Sequence, residues 1–101
     1  MPKMPTLFVS HGGPNVVTEP SEARDYLSSL SALLPRPKAI VLVSAHFETE
    51  GPVVVTDPAP SVIYDFGGFA PELYEMQYPA PGEPALAMKV AHLLNDAGLK
   101  P

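Results

Sequence analysis

Two histidines follow apolar runs that are typical of buried strands, and their positions suit metal chemistry. His11 comes directly after residues 6–10, and His46 comes directly after residues 38–45. Parallel strands of one strand–helix–strand unit present their carboxyl ends at the same edge of a sheet, where open α/β sheets bind ligands. Two neutral imidazoles at one edge suit a divalent metal. The spacing therefore makes His11 and His46 candidate metal ligands.

An ordinary structural role stays open for both histidines, because two ligands do not complete a metal site. Each could be a loop or capping residue. Ser10 and Ser44 lie just ahead of the two histidines and could orient them through hydrogen bonds, as the neighbours of metal ligands do. The third histidine, His92, falls on the polar side of the last predicted helix, where we expect it to be exposed to solvent and not a ligand.

The elements that must position these residues are predicted from periodicity and from breaker residues. Apolar, β-rich runs predict strands at residues 6–10, 38–45 and 52–56. A helix capped by Thr18 or Ser21 is expected to follow the first strand and to end before Pro35. A second helix is expected over residues 83–97, with Gly98 as its C′ residue. Residues 58–81 form a long irregular segment rich in aromatic side chains, among them Tyr64, Phe66, Phe69 and Tyr74.

These elements predict an α/β fold: a βαβ-based, mostly parallel sheet flanked by helices. A parallel sheet needs both faces covered, and three short strands with two or three helices make only part of a doubly wound domain. We therefore expect residues 1–101 to be the N-terminal portion of a larger domain, with its C-terminal part missing.

The composition of the chain limits the classes of molecule that it is expected to bind. The chain has 101 residues, a formal net charge of −5 and no cysteine. An acidic chain without a basic cluster argues against nucleic acid and anionic membranes as partners. The absence of cysteine excludes a disulfide framework and thiolate metal ligands. The first residues lack the apolar core of a signal peptide and no apolar run could span a bilayer, so we expect a cytoplasmic protein.

Three motifs together resemble one enzyme family. They are PTLFVSHGGP at residues 5–14, PKAIVLVSAH at 37–46 and IYDFGGFAPELYE at 63–75. The order and spacing of these motifs, followed by QYPAPG at 77–82, resemble the class III extradiol ring-cleavage dioxygenases, and within them the 4,5-DOPA dioxygenase type. The resemblance runs over nearly the whole chain.

The resemblance implies a specific chemistry. Such enzymes use O₂ and a non-haem metal, Fe(II) or in some members Zn(II), to open a catechol ring next to its two hydroxyls. It implies that His11 and His46 are metal ligands and that a DOPA-like catechol is the substrate. It also implies that the catalytic histidine and the further metal ligands lie in the missing C-terminal part, so no catalytic residue is assigned in this chain.

The segment around Asp65 is the candidate substrate wall. Tyr64, Asp65 and Phe66 are the candidate substrate-binding residues, with the aromatic rings lining the catechol. A structural role for the phenylalanines is the alternative, and Asp65 could instead cap a turn. Asp65, Glu48 or Glu50 could also supply a carboxylate ligand, although Glu48 and Glu50 are more typical of a solvated loop.

Two other classes of protein remain open at this stage. The chain could be a non-enzymatic or inactive metal-binding α/β module, closed by a second copy into a homo-oligomer. It could also be a chelatase-like domain, since such domains place a His-Gly pair after a first strand. The motifs at residues 63–75 and 77–82 favour the dioxygenase.

Overall fold

The regular secondary structure of the chain is helical. A computed structural model describes residues 3–101. In chain order it contains a 3₁₀ helix at Pro14–Val17, α1 at Glu22–Leu33, α2 at Pro71–Glu75 and α3 at Pro84–Asp96. The described residues divide into two compact units. The first unit comprises residues 3–40 and Phe66–Met76, and the second comprises Val41–Asp65 and Gln77–Pro101.

The predicted βαβ parallel sheet is wrong for this structure. None of the described residues, 3–101, belongs to a β-strand, and the runs at 6–10, 38–45 and 52–56 lie outside regular elements. A strand exists only through pairing with a neighbour, whereas β-propensity reports how well side chains suit a covered, pleated surface. That cover is lacking here, since Phe8 is fully exposed and the side chain of Val43 is 94% exposed.

Helix α1 begins and ends where the sequence predicts. Ser21 is its N-cap residue, and the Ser21 hydroxyl accepts a hydrogen bond from the backbone N–H of Arg24 at 3.0 Å. This bond satisfies one of the amides that a helix start leaves without a partner. The helix ends at Leu33, ahead of Pro35, which cannot continue it. Of the two predicted caps, the structure uses Ser21.

Helix α3 is also confirmed, and Gly98 follows its C-terminus as predicted. The backbone N–H of Gly98 donates to the carbonyl of Asn95, and that of Leu99 donates to the carbonyl of Leu94, both at 3.0 Å. Gly98 has a φ of +88°, the left-handed conformation that this pair of bonds requires. A side chain at position 98 would therefore strain the helix end.

The segment between residues 58 and 81 contains one element that the sequence analysis missed. Helix α2 begins at Pro71, whose fixed φ suits a first turn, and its Leu73 is 3% exposed. Leu73 is the one buried hydrophobic residue of the described chain. The aromatic side chains of Phe66 and Tyr74 pack close by in the same unit, with ring centroids 4.9 Å apart.

Just before α3, in the second unit, the backbone at Gly82 lies very close to the backbone of Asp57 and Pro58. The N–H of Gly82 donates to the carbonyl of Pro58 at 2.9 Å. A Cβ atom at position 82 would fall inside van der Waals contact with the carbonyl of Asp57. The turn itself is held by the Asp57 carboxylate, which accepts from the N–H of Ala59 at 2.8 Å. Glycine is thus required at position 82 by space.

Candidate functional site

His46 lies in a turn of the second unit. The Ser44 hydroxyl accepts a hydrogen bond from the backbone N–H of His46 at 3.1 Å, and the N–H of Phe47 donates to the Ser44 carbonyl at 3.3 Å. Short side chains such as serine stabilise turns by bonding to the backbone two residues on. Ser44 therefore fixes the backbone of His46 through a hydrogen bond, the kind of contact by which the sequence analysis suggested that Ser44 could orient His46.

The ring of His46 is paired with Asp65. Its Nδ1 atom lies 2.8 Å from Oδ2 of Asp65, a residue 19 positions further along the chain and in the same unit. The carboxylate can only accept, so Nδ1 carries the proton and donates it. The lone pair of the neutral ring is then on Nε2. Both side chains are solvent-accessible, at 74% for His46 and 56% for Asp65.

His11 shows the same division of its ring nitrogens in the first unit. Its Nδ1 atom lies 2.7 Å from the carbonyl oxygen of Gly12, which can only accept. Gly12 has a φ of +71°, a conformation that glycine adopts without strain. The proton is again on Nδ1, and the lone pair of neutral His11 is on Nε2.

An open groove of about 420 Å³ surrounds His11. It is formed by the turn after His11, the 3₁₀ helix and the start of α1; its polar lining residues are Ser10, His11, Asn15, Glu19 and Ser21. The Asn15 side-chain amide donates to Oε2 of Glu19 at 2.9 Å and holds that carboxylate on the groove wall. The groove has the volume of a small-molecule site but is open to solvent.

The donor chemistry of both histidines fits metal ligation. A ligating histidine usually donates one ring N–H to a carboxylate or a backbone carbonyl and binds the metal through the other nitrogen. His46 and His11 make one bond of each kind. His11 belongs to the first unit and His46 to the second. Within residues 3–101, no group of three or more His, Cys, Asp or Glu side chains could hold a metal ion.

The candidate substrate residues fall in different surroundings. Phe66 packs edge-to-face against Phe69, with ring centroids 5.7 Å apart, and the Tyr74 hydroxyl donates to the Phe66 carbonyl at 3.3 Å. Phe66 thus has a packing role in the first unit. Tyr64 belongs to the second unit and is 39% exposed, and Asp65 is engaged by His46.

The remaining acidic and histidine candidates are on the surface. Glu48 and Glu50 are exposed. His92 is 76% exposed, as predicted, and its Nε2 lies 3.6 Å from Oδ2 of Asp96, one helical turn further along α3. The sequence analysis missed the pairing of Asp65 with His46, for which the sequence carries no local signal beyond the presence of both residues in the quoted motifs.

In the part of the chain that the structure describes, no helix is both long enough and apolar enough to cross a membrane.

Comparison with protein families defines the class of protein to which this chain belongs. The model that matches residues 5–101 is that of a ring-opening dioxygenase acting on aromatic compounds. The chain belongs to the LigB family, described as the catalytic LigB subunit of aromatic ring-opening dioxygenase. The family resemblance seen in the sequence motifs is therefore confirmed.

Individual relatives agree with the family. The chain is 48% identical to 4,5-DOPA dioxygenase extradiol of Escherichia coli (strain K12), over 91% of this chain and 34% of the relative. It is 42% identical to the protein of the same name from Portulaca grandiflora, over 94% and 36%. It is 40% identical to that from Beta vulgaris, over 94% and 37%.

These relatives are much longer than the matched region. The chain spans about a third of the length of each of the three. No solved structure matches the chain significantly.

Proposed function

We propose that this chain is part of an extradiol dioxygenase that opens the ring of a DOPA-like catechol with O₂. The observation that carries the proposal is the family match over residues 5–101. The relatives named 4,5-DOPA dioxygenase support the extradiol reaction and the substrate class. A small aromatic substrate and O₂ are the partners that this reaction requires.

In this proposal His11 and His46 supply two metal ligands through their Nε2 atoms. The hydrogen bonds from Nδ1 to Gly12 and to Asp65 support it, because they leave Nε2 with its lone pair. A bound divalent metal, Fe(II) or Zn(II), supplies Lewis acidity for the catechol oxygens, and iron adds redox chemistry for O₂. Each histidine would supply one nitrogen ligand, and the hydrogen bond at its Nδ1 fixes the orientation of its own ring.

The substrate contacts are proposed from the aromatic segment. Tyr64 offers a partly exposed aromatic side chain, and Phe66 offers one edge of a packed aromatic cluster. Flat aromatic side chains suit a catechol ring, which stacks or packs edge-on against them. Asp65 is assigned to His46 in preference to the substrate, because its carboxylate already accepts the Nδ1 proton.

The extent of the catalytic domain is also a proposal. We propose that residues 1–101 are the N-terminal part of a larger catalytic domain, because the chain spans about a third of the length of its relatives and its described residues form no group of three or more side chains that could hold a metal ion. On this ligand count, the 101 residues alone are expected to give little or no turnover. A cytoplasmic location and a homo-oligomeric state stay predictions.

The alternative functions receive different support. The chelatase-like alternative has none from the relatives named above, which are dioxygenases. A metal-binding module without activity remains the second candidate, because two histidine ligands alone do not complete a catalytic metal site.

The dioxygenase and the inactive module both require that His11 and His46 bind a metal, and this requirement is tested first. The affinity of the metal-free chain for Zn²⁺ is measured by calorimetric titration, for the parent chain and for His11→Ala, His46→Ala and His92→Ala. The first two variants are expected to lose at least tenfold in affinity, and His92→Ala to bind like the parent. Equal binding by all four proteins would contradict the proposal.

Turnover tests whether the 101 residues form a working catalytic site on their own. The chain is loaded anaerobically with Fe(II), given L-DOPA or a simpler catechol in air, and followed by the absorbance of a yellow ring-opened product. Product that disappears in His11→Ala would show that the chain assembles a working site, contrary to the ligand count. Binding without product is the expected result for the 101 residues.

A further inference from the structure

We propose that Asp65 is a positioning residue that sets the tautomer and orientation of His46. This inference rests on the proposed function only for its consequence, the binding of a metal at Nε2 of His46. The juxtaposition itself is a feature of the second unit, where Nδ1 of His46 lies 2.8 Å from Oδ2 of Asp65. Asp65 contacts the ligand and not the metal.

The tautomer matters because an unassisted neutral histidine carries its proton mainly on Nε2. In that form the lone pair is on Nδ1, next to the backbone, and Nε2 cannot bind a metal. A carboxylate at Nδ1 reverses the preference, since it can only accept a hydrogen bond. Asp65 therefore converts the ring into a ligand whose outer nitrogen is available.

The backbone around His46 limits how the ring can turn, and Asp65 completes that restraint. Ser44 holds the amide of His46, so the turn is fixed on the near side of the residue. The carboxylate then fixes the far end of the side chain from a segment 19 residues away. With both contacts in place the ring has one preferred orientation, and this lowers the entropy lost when a metal binds.

Both side chains are more than half exposed, so solvent weakens the pair. Asp65 therefore acts on the tautomer and the orientation of the His46 ring, and the pair does not contribute to global stability. Substitutions at Asp65 are expected to leave the fold intact, which makes them clean tests.

The test reads the tautomer directly in the metal-free chain. Nitrogen-15 chemical shifts of the imidazole rings are recorded above the pH at which the histidines are protonated, for the parent chain and for Asp65→Ala and Asp65→Asn. His46 is expected to be mainly Nδ1–H in the parent and mainly Nε2–H in Asp65→Ala. Asp65→Asn keeps an acceptor oxygen without the charge, so it is expected to restore part of the Nδ1–H form.

A matched control uses the other histidine–aspartate pair. Asp96→Ala removes the partner of His92 and leaves Asp65 in place. It is expected to leave the His46 signals unchanged. Unchanged His11 and His92 signals in Asp65→Ala show that the fold is intact, and a His46 tautomer that is the same in parent and Asp65→Ala would overturn the inference.

Metal affinity then separates this inference from the proposed function. Loss of such partners commonly lowers metal affinity 10- to 100-fold, and we expect about a tenfold loss of Zn²⁺ affinity in Asp65→Ala. If His46→Ala weakens binding but Asp65→Ala does not, the positioning role fails and the proposed function stands. If the tautomer switches but His46→Ala binds the metal normally, the ligand role of His46 fails and the tautomer assignment stands.

Discussion

At the scale of single residues, the two candidate ligands are defined by what their inner nitrogens touch. His11 donates to a carbonyl one residue away, a bond that the local turn alone can form. His46 donates to a carboxylate from a distant segment, which requires the second unit to fold. The Nδ1–H form of His11 is therefore set locally, whereas that of His46 depends on tertiary structure.

Phe66 provides a residue-scale prediction about packing. Its ring contacts those of Phe69 and Tyr74, and such aromatic pairs contribute beyond the area they bury. Phe66→Ala is expected to destabilise the chain by about 1–2 kcal/mol. The measurement is urea unfolding followed by circular dichroism at 222 nm.

Phe8→Ala is the matched control, because it removes the same side chain from a fully exposed position. It is expected to change the unfolding free energy by less than about 0.5 kcal/mol. Similar effects of the two substitutions would mean that the aromatic cluster does not stabilise the first unit.

At the scale of elements, the helices follow local signals and the extended segments do not. The cap at Ser21, the stop before Pro35 and the glycine at position 98 each act within a few residues, so the sequence predicts α1 and α3 well. Helix α2 was missed because its five residues are too few for periodicity to register. The strands were wrong because pairing is a non-local property that β-propensity does not contain.

Gly82 provides the element-scale prediction. A methyl group at position 82 would meet the Asp57 carbonyl, so Gly82→Ala must displace the turn that precedes α3. We expect a loss of about 1–3 kcal/mol, the usual cost of overpacking, measured as a lower thermal unfolding midpoint. Gly67→Ala is the control, because a Cβ atom there meets no atom within 4 Å. Equal midpoints for the two variants would contradict the close approach.

At the scale of the whole molecule, much of the apolar surface of the described residues is exposed to solvent. Leu73 is the one buried hydrophobic residue in the part that the structure describes, whereas Ile40, Leu42 and Val43 are all largely exposed. Residues 39–45 are also free of charge and proline. Such an uncharged, β-prone segment promotes association between copies when it is uncovered.

A charged side chain within residues 39–45 should therefore weaken association between copies of the chain. Leu42→Lys is expected to raise, by several-fold, the protein concentration at which association appears in sedimentation velocity. Ser31→Lys, on α1, makes the same change in net charge and serves as the control, with association like that of the parent chain. If both variants associate alike, net charge and not the segment governs association.

The candidate site was predictable only in part. The positions after two apolar runs drew attention to His11 and His46, and the three motifs carried the family, which the comparisons confirm. The partners of the rings were not predictable, because a bond between residues 46 and 65 depends on how the second unit folds. The metal-ligand roles of the two histidines stay predictions until they are measured.

The central claim, that His11 and His46 are metal ligands, is tested most directly by Zn²⁺ titration of the chain and its histidine variants. The account predicts an affinity that falls at least tenfold in His11→Ala and in His46→Ala, is lost in the double variant, and is unchanged in His92→Ala. Binding that survives the double variant, or that depends on His92 alone, would contradict it.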